Sequence, residues 1–233
     1  MLPRKNLLVR PPVSNIDRAI IVTALTQPEV DPVGIDRLFV HLESQDIEGS
    51  LCINKSDLED PEKISDLRDT YLKAGYPVDV TSAVTGAGVD SLRERMGEGT
   101  SIFAGPSGVG KSKLLTALLG ISVETDELAR TGRGRHTTKG VTLYRIGEEG
   151  FLADTPGFSK LEGIDCEPEE LSYFYPEMVE LAPLCHYPRC LHKTEDPCAV
   201  RDAVFEGKIS QERYANYLVL LEESIERMKR KYE

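Results

Sequence analysis

Gly105-Pro106-Ser107-Gly108-Val109-Gly110-Lys111-Ser112 satisfies every fixed position of G-x-x-x-x-G-K-[ST]. It follows the short apolar run Ser101–Ala104 and precedes Lys111–Leu119, which has a helical pattern. That context is what the motif's chemistry needs. The glycines let successive backbone N–H groups turn inward around phosphates, Lys111 can reach β and γ oxygens, and Ser112 can ligate Mg²⁺. The helix start adds a favourable dipole for the anion.

Outward from this loop, short apolar runs recur at Ala19–Ala24, Leu38–Leu42, Ser50–Ile53, Val78–Val80, Val141–Ile146 and Phe151–Ala153. Each reads as a strand buried on both faces. Helical stretches fall between them at Pro61–Lys73 and Gly88–Arg95. Strand alternating with helix predicts an α/β fold: a P-loop domain with a mostly parallel sheet and helices on both faces. After Leu161 the character changes. Cys166–Leu184 is acidic and Pro-punctuated, and Cys185–Cys198 is dense in Cys and His. Tyr214, Tyr217, Leu218, Leu221, Ile225 and Met228 form one helical stripe, with Ser210 as its expected N-cap. Two units are expected, residues 1–163 and a small helical unit at 164–233.

The base is read elsewhere. Asn54-Lys55-Ser56-Asp57 follows Ser50–Ile53 and matches N-K-x-D. The Asp57 carboxylate can accept two hydrogen bonds from the ring N–H and exocyclic amine of guanine. Adenine offers no such pair and would leave the carboxylate unpaired. Asn54 is expected to brace neighbouring loops, with the Lys55 stem along the base plane. Thr81-Ser82-Ala83 follows another short strand and matches the T-S-A element that touches the base. Asp154-Thr155-Pro156-Gly157 matches D-x-x-G, placing Asp154 towards Mg²⁺ and the Gly157 N–H towards a γ-phosphate. Arg130, Arg133, Arg135, Lys139 and Arg145 make the intervening stretch cationic, and Thr137 or Thr138 is expected to close on the metal and γ-phosphate.

The chain of 233 residues carries a net charge of −11, which argues against bulk coating of nucleic acid while leaving room for a local basic face. No apolar stretch approaches the roughly 20 residues of a membrane helix, and no signal peptide is evident, so a cytoplasmic protein is expected. Three of five cysteines crowd into Cys185–Cys198. Cys185, Cys190 and Cys198 with an imidazole form a closed set suited to structural Zn²⁺. His186 and His192 both lie within reach. Cys52 is expected to be a core thiol, Cys166 an ordinary loop thiol.

The motif order is unusual. N-K-S-D and T-S-A precede the phosphate loop, whereas ordinary GTPases run the other way. A parallel sheet tolerates this if the old termini are joined and a new break opens at a surface loop. The chain resembles the circularly permuted GTPases, and among them the RsgA family (also YjeQ or YloQ). Carrying the resemblance are Arg10-Pro11-Pro12-Val13-Ser14-Asn15-Ile16-Asp17, the nucleotide motifs above, Arg133-Gly134-Arg135-His136-Thr137-Thr138, Phe158 and the Cys185–Cys198 cluster.

That resemblance implies a GTPase of small-ribosomal-subunit biogenesis that binds rRNA. It also implies Zn²⁺ on Cys185, Cys190, His192 and Cys198, leaving His186 a bystander. Family members usually carry an N-terminal OB-fold, and this sequence begins near that interdomain junction. Phe158 stands where many GTPases place a water-orienting Gln, so slow turnover is expected unless another group helps, and the resemblance points to His136. The chain passes almost directly from Asp154–Gly157 into the zinc segment, so hydrolysis is expected to move that segment as a lever. Competing readings are a zinc-dependent RNA- or protein-binding module timed by nucleotide, and an ATP-using enzyme, which Asp57 disfavours. A monomer is expected.

Overall fold

Strand β3 (Arg18–Thr23) is buried along nearly all its length and forms the middle of a six-stranded sheet. The computed structural model describes residues 7–8, 13–120, 142–154 and 166–232. The pair β1 (Leu7–Leu8) and β2 (Val13–Ser14) forms a separate two-stranded ribbon. The main sheet adds β4 (Glu48–Ile53), β5 (Val78–Val80), β6 (Gly99–Ala104), β7 (Thr142–Ile146) and β8 (Gly150–Asp154). Its order is β5-β4-β3-β6-β8-β7, parallel throughout except for antiparallel β7 at one edge.

Alternation along β3 divides the core. Ala19 and Ile21 join Leu38, Phe39, Leu42 and Tyr71 beneath α1 (Pro32–Glu43) and α2 (Pro61–Lys73). Ile20 and Val22 point oppositely and join Leu92, Leu114 and Leu118 of α3 (Val89–Met96) and α4 (Lys111–Leu118). Each fully buried Leu or Ile contributes about 1.5–3 kcal/mol, so both faces are strongly specified.

One expected strand is a helix. Leu38–Leu42 lies within α1, where Ile35, Leu38, Phe39 and Leu42 follow the i, i+3, i+4, i+7 spacing of a buried face. Asp31 caps it by accepting from the Gly34 N–H at 2.9 Å, and Pro32 supplies a preset φ at its start. The apolar run hid this period because buried Val40 fills the other side of the helix. Val40 does so against the C-terminal helices, not the sheet.

Residues 166–232 contribute α5 (Pro176–Val179), α6 (Ala199–Phe205) and α7 (Gln211–Tyr232). Ser210 begins α7 as expected, its hydroxyl accepting from the Arg213 N–H at 3.4 Å. Tyr217 and Leu221 of the expected stripe are buried, with Leu171, Tyr175 and Met178 against them. The joint with α1 is polar and buried. Arg213, 1% exposed, donates to Asp36 and to Glu177 (Nε to Oε1, 2.5 Å), while Asn216 donates to the other Asp36 oxygen at 2.7 Å. Arg37 and Glu223 add a bidentate pair at 2.5 and 2.9 Å. No helix among the described residues is long and apolar enough to cross a membrane.

Candidate functional site: a cleft at the strand ends and a cysteine–histidine cluster

Because β3, β4, β5, β6 and β8 run parallel, the loops after them share one edge of the sheet. The chain leaves the centre in opposite directions, β3 to β4 and β5 on one side and β6 to β8 on the other. That divergence opens a crevice at the carboxyl ends, the usual ligand position in such sheets. Residues 105–112, 54–57 and 81–83 all open onto this edge, and Asp154 ends β8 on it.

In the phosphate loop, Gly105 has φ +123° and a Cβ there would stand 2.2 Å from the Val22 carbonyl oxygen. Gly110 has φ +97°, and a Cβ would stand 2.5 Å from Asn54 Nδ2. Both positions demand glycine on conformational and steric grounds. Lys111 Nζ donates to the carbonyls of Gly105 (2.6 Å) and Pro106 (2.7 Å), so the ammonium lies across the loop. Val109 is buried, whereas Ser107, Gly108 and Ser112 are exposed.

Asn54 joins three segments. Its Nδ2 donates to the Val109 carbonyl at 2.9 Å, and its Oδ1 accepts from Thr81 Oγ1 (3.1 Å) and the Ala83 N–H (3.2 Å). Its backbone N–H donates to Thr23. Asp57 is exposed, and its Oδ1 accepts from the Ser82 hydroxyl at 2.5 Å. Ser82 in turn accepts from the Thr85 N–H at 3.1 Å, which fixes the hydroxyl's direction. Lys55, at φ +64°, donates through Nζ to the Gln27 carbonyl at 2.5 Å, and the Ser56 N–H donates to Thr81. Gln27 was not singled out by the sequence, nor was Glu59, whose carboxylate anchors the loop carrying Gln27. Only the acidic position just after the N-K-S-D turn hinted at Glu59. Cys52 is fully buried at the end of β4, and burial pushes its thiol up to about 12, as suits an inert core position. His136, Thr138 and Gly157 lie outside the described residues, as do Thr137 and Phe158.

The second site is the set Cys185, Cys190, His192 and Cys198, whose ligand atoms all lie within 4.8 Å of one another. Cys185 Sγ and Cys190 Sγ each stand 3.8 Å from Cys198 Sγ. His192 Nδ1 stands 3.5 Å from Cys185 Sγ and 3.4 Å from Cys198 Sγ. A tetrahedral metal with sulfur bonds of about 2.3 Å requires sulfur–sulfur edges of about 3.8 Å, so these residues fit an ion of that size. His186 is exposed and packs edge-on against Tyr187, outside the set.

The ligand loop is fixed from below. Tyr214 OH donates to the His192 carbonyl at 2.6 Å and Tyr217 OH to the Leu191 carbonyl at 2.9 Å. Burial pushes the Glu195 carboxyl up, but the N–H groups of Leu191, Thr194 and Lys193 outweigh it and hold it down at about 2. Burial also raises the Cys190 thiol to about 12 and lowers the His192 imidazole, with the Glu195 carboxylate opposing the latter.

Comparison with known proteins agrees with this geometry. The family model described as RsgA GTPase matches residues 1–163. A small ribosomal subunit biogenesis GTPase RsgA from Caldanaerobacter subterraneus subsp. tengcongensis is 47% identical over 234 residues, covering 100% of this chain and 79% of that protein. The counterpart in Halalkalibacterium halodurans is 43% identical over 100% of this chain and 80% of its own length. The crystal structure of YjeQ from Thermotoga maritima superposes with a TM-score of 0.82 at 37% identity, covering 96% of this chain and 77% of that one. YloQ, described as a circularly permuted GTPase, superposes at 0.77 with 36% identity, over 97% of this chain and 74% of its own. Order of motifs, sheet topology and these likenesses agree: the chain belongs to the RsgA GTPase family.

Proposed function

We propose that this chain hydrolyses GTP to GDP and phosphate as a switch in maturation of the small ribosomal subunit, contacting that subunit and its 16S-type rRNA. It works as a cytoplasmic monomer built from a GTPase domain (1–163) and a zinc-binding unit (164–233). One observation carries the nucleotide assignment: Asn54 bonds both the phosphate loop and the T-S-A loop, so the base-selecting and phosphate-gripping segments line a single cleft. The relatives named for small-subunit biogenesis, matched over the full length of this chain, support the cellular role.

Each residue's part follows from its place. Asp57, held by Ser82, accepts from the guanine ring N–H and exocyclic amine. The Lys55 stem covers the base. The N–H groups of residues 105–112 and the start of α4 face the phosphates, and Lys111 exchanges its loop carbonyls for β and γ oxygens. Ser112, Asp154 and Thr138 would hold Mg²⁺, which would supply charge neutralisation at the phosphates. Water attacks the γ-phosphorus in line, and catalysis is positioning plus charge neutralisation. His136 is the group we assign to orient that water. The cysteine–histidine set binds Zn²⁺, which the thiolate-rich donors and the 3.8 Å sulfur spacing favour.

Steady-state turnover of GTP by this chain, alone and with purified small subunits, tests the proposal. Slow intrinsic hydrolysis that rises in the presence of subunits is expected. No hydrolysis under either condition would contradict it.

A further inference from the structure

We propose that Glu59 is a positioning residue for nucleotide binding, holding residues 25–30 as a wall that joins the base-selecting turn to the phosphate loop. This rests on the cleft being a GTP site. Glu59 leaves the turn Ser56–Leu58 in an extended conformation. Its Oε1 accepts from the Leu25 N–H (3.2 Å), the Thr26 N–H (2.9 Å) and the Thr26 hydroxyl (2.9 Å). Three donors converge on this one oxygen, tying two backbone N–H groups and a hydroxyl of the loop to the turn.

The loop they anchor is closed on itself. Thr26 and Glu29 form an isolated β-bridge, and the Val30 N–H donates to the Leu25 carbonyl at 3.0 Å. Its tip serves both halves of the cleft. The Gln27 carbonyl receives Lys55 Nζ at 2.5 Å, and a Cβ on Gly108 would stand 3.6 Å from Pro28 Cδ. Lysine has a long stem with high rotamer freedom. Tethering its ammonium to Gln27 fixes the stem before the base arrives and lowers the ordering cost of binding. Asp57 is oriented from the other side, by Ser82. The two carboxylates therefore divide the work: Asp57 selects guanine, and Glu59 strengthens the grip without regard to the exocyclic amine.

Titration of a fluorescent GDP against wild type and variants tests this. Glu59→Ala should weaken GDP by about fivefold, while Glu59→Gln, which keeps an acceptor oxygen, should stay within about twofold of wild type. Combining Glu59→Ala with Lys55→Ala should cost less than the product of the single losses, because both act on one contact. Inosine diphosphate, which lacks the exocyclic amine, should weaken by the same factor as GDP. Thr26→Val removes one donor and runs the same cycle should Glu59→Ala not fold. Wild-type affinity in Glu59→Ala, fully multiplicative losses, or a change in the GDP-to-inosine ratio would overturn the proposal. Failure of the wild type to bind guanine nucleotides would instead overturn the GTP-site reading.

Discussion

Ser82 shows how much of this cleft is decided by single hydroxyls. It is fully buried, donates to Asp57 and accepts from Thr85, so the exposed carboxylate is aimed before any base is present. Removing the hydroxyl leaves Asp57 free to rotate and to be solvated. We expect Ser82→Ala to weaken GDP about fivefold, about 1 kcal/mol, because the exposed Asp57 regains water in place of the lost hydroxyl, measured by equilibrium titration. Unchanged affinity would mean the orientation is set elsewhere. Asn54, Asp57 and Lys111 were legible in the sequence because their chemistry is fixed by short local spacing. Glu59 and Gln27 were not, because their importance lies in contacts across 33 and 28 positions that no local pattern encodes.

Among the elements, the cysteine–histidine loop rests on α7 through two tyrosine hydroxyls. Tyr214 and Tyr217 bond the loop's carbonyls, and the cysteine–histidine set closes it above them. A metal held by this set would supply folding free energy to the loop. Burial raises the Cys190 thiol to about 12 and raises Cys198 as well, so these two thiols hold their protons in the metal-free loop. Metal binding must displace them, so affinity should fall as pH is lowered. We expect zinc uptake by the metal-free protein near pH 7 to release the protons of Cys190 and Cys198, read with a pH indicator. Chelation should also expose the amides of α6 and α7 to hydrogen exchange. A chelated protein with unaltered protection would contradict this. The helix α7 was readable from its stripe, whereas α1 was mistaken for a strand. Its apolar residues cover two faces, and only the C-terminal unit explains the second.

At the scale of the molecule, two features join distant parts of the chain: the permuted sheet and the Arg213 joint. The mostly parallel, permuted character of the sheet was legible from motif order, whereas its strand order β5-β4-β3-β6-β8-β7 was not, because no local pattern says which strands are neighbours. The joint was not, since a lone arginine in a charged helix gives no sign of being 1% exposed. Arg213 sits among Tyr71, Tyr76 and Tyr175 with its centre 5.0–5.3 Å from each ring, and binds Asp36 and Glu177. Replacing it by alanine leaves two buried carboxylates uncompensated, at about 3–5 kcal/mol. We expect Arg213→Ala to lower the melting temperature markedly and to raise exchange in both α1 and α7. A loss confined to α7 would show that the joint does not bind the units. The same joint opposes the expected lever, since motion of the C-terminal unit relative to α1 must break it. The segment between Asp154 and Cys166 through which such a lever would act lies outside the described residues.

The permuted sheet brings Asp57 and the phosphate loop to one edge, with Asn54 bonded to both the phosphate loop and the T-S-A loop, and we propose that Asp57 selects guanine there. Competition of unlabelled GDP and ADP against a fluorescent GDP, in wild type and Asp57→Ala, measures that selection. GDP should compete at least about a hundredfold better than ADP in wild type, and the preference should collapse in Asp57→Ala. Equal competition by the two nucleotides in the wild-type protein would contradict it.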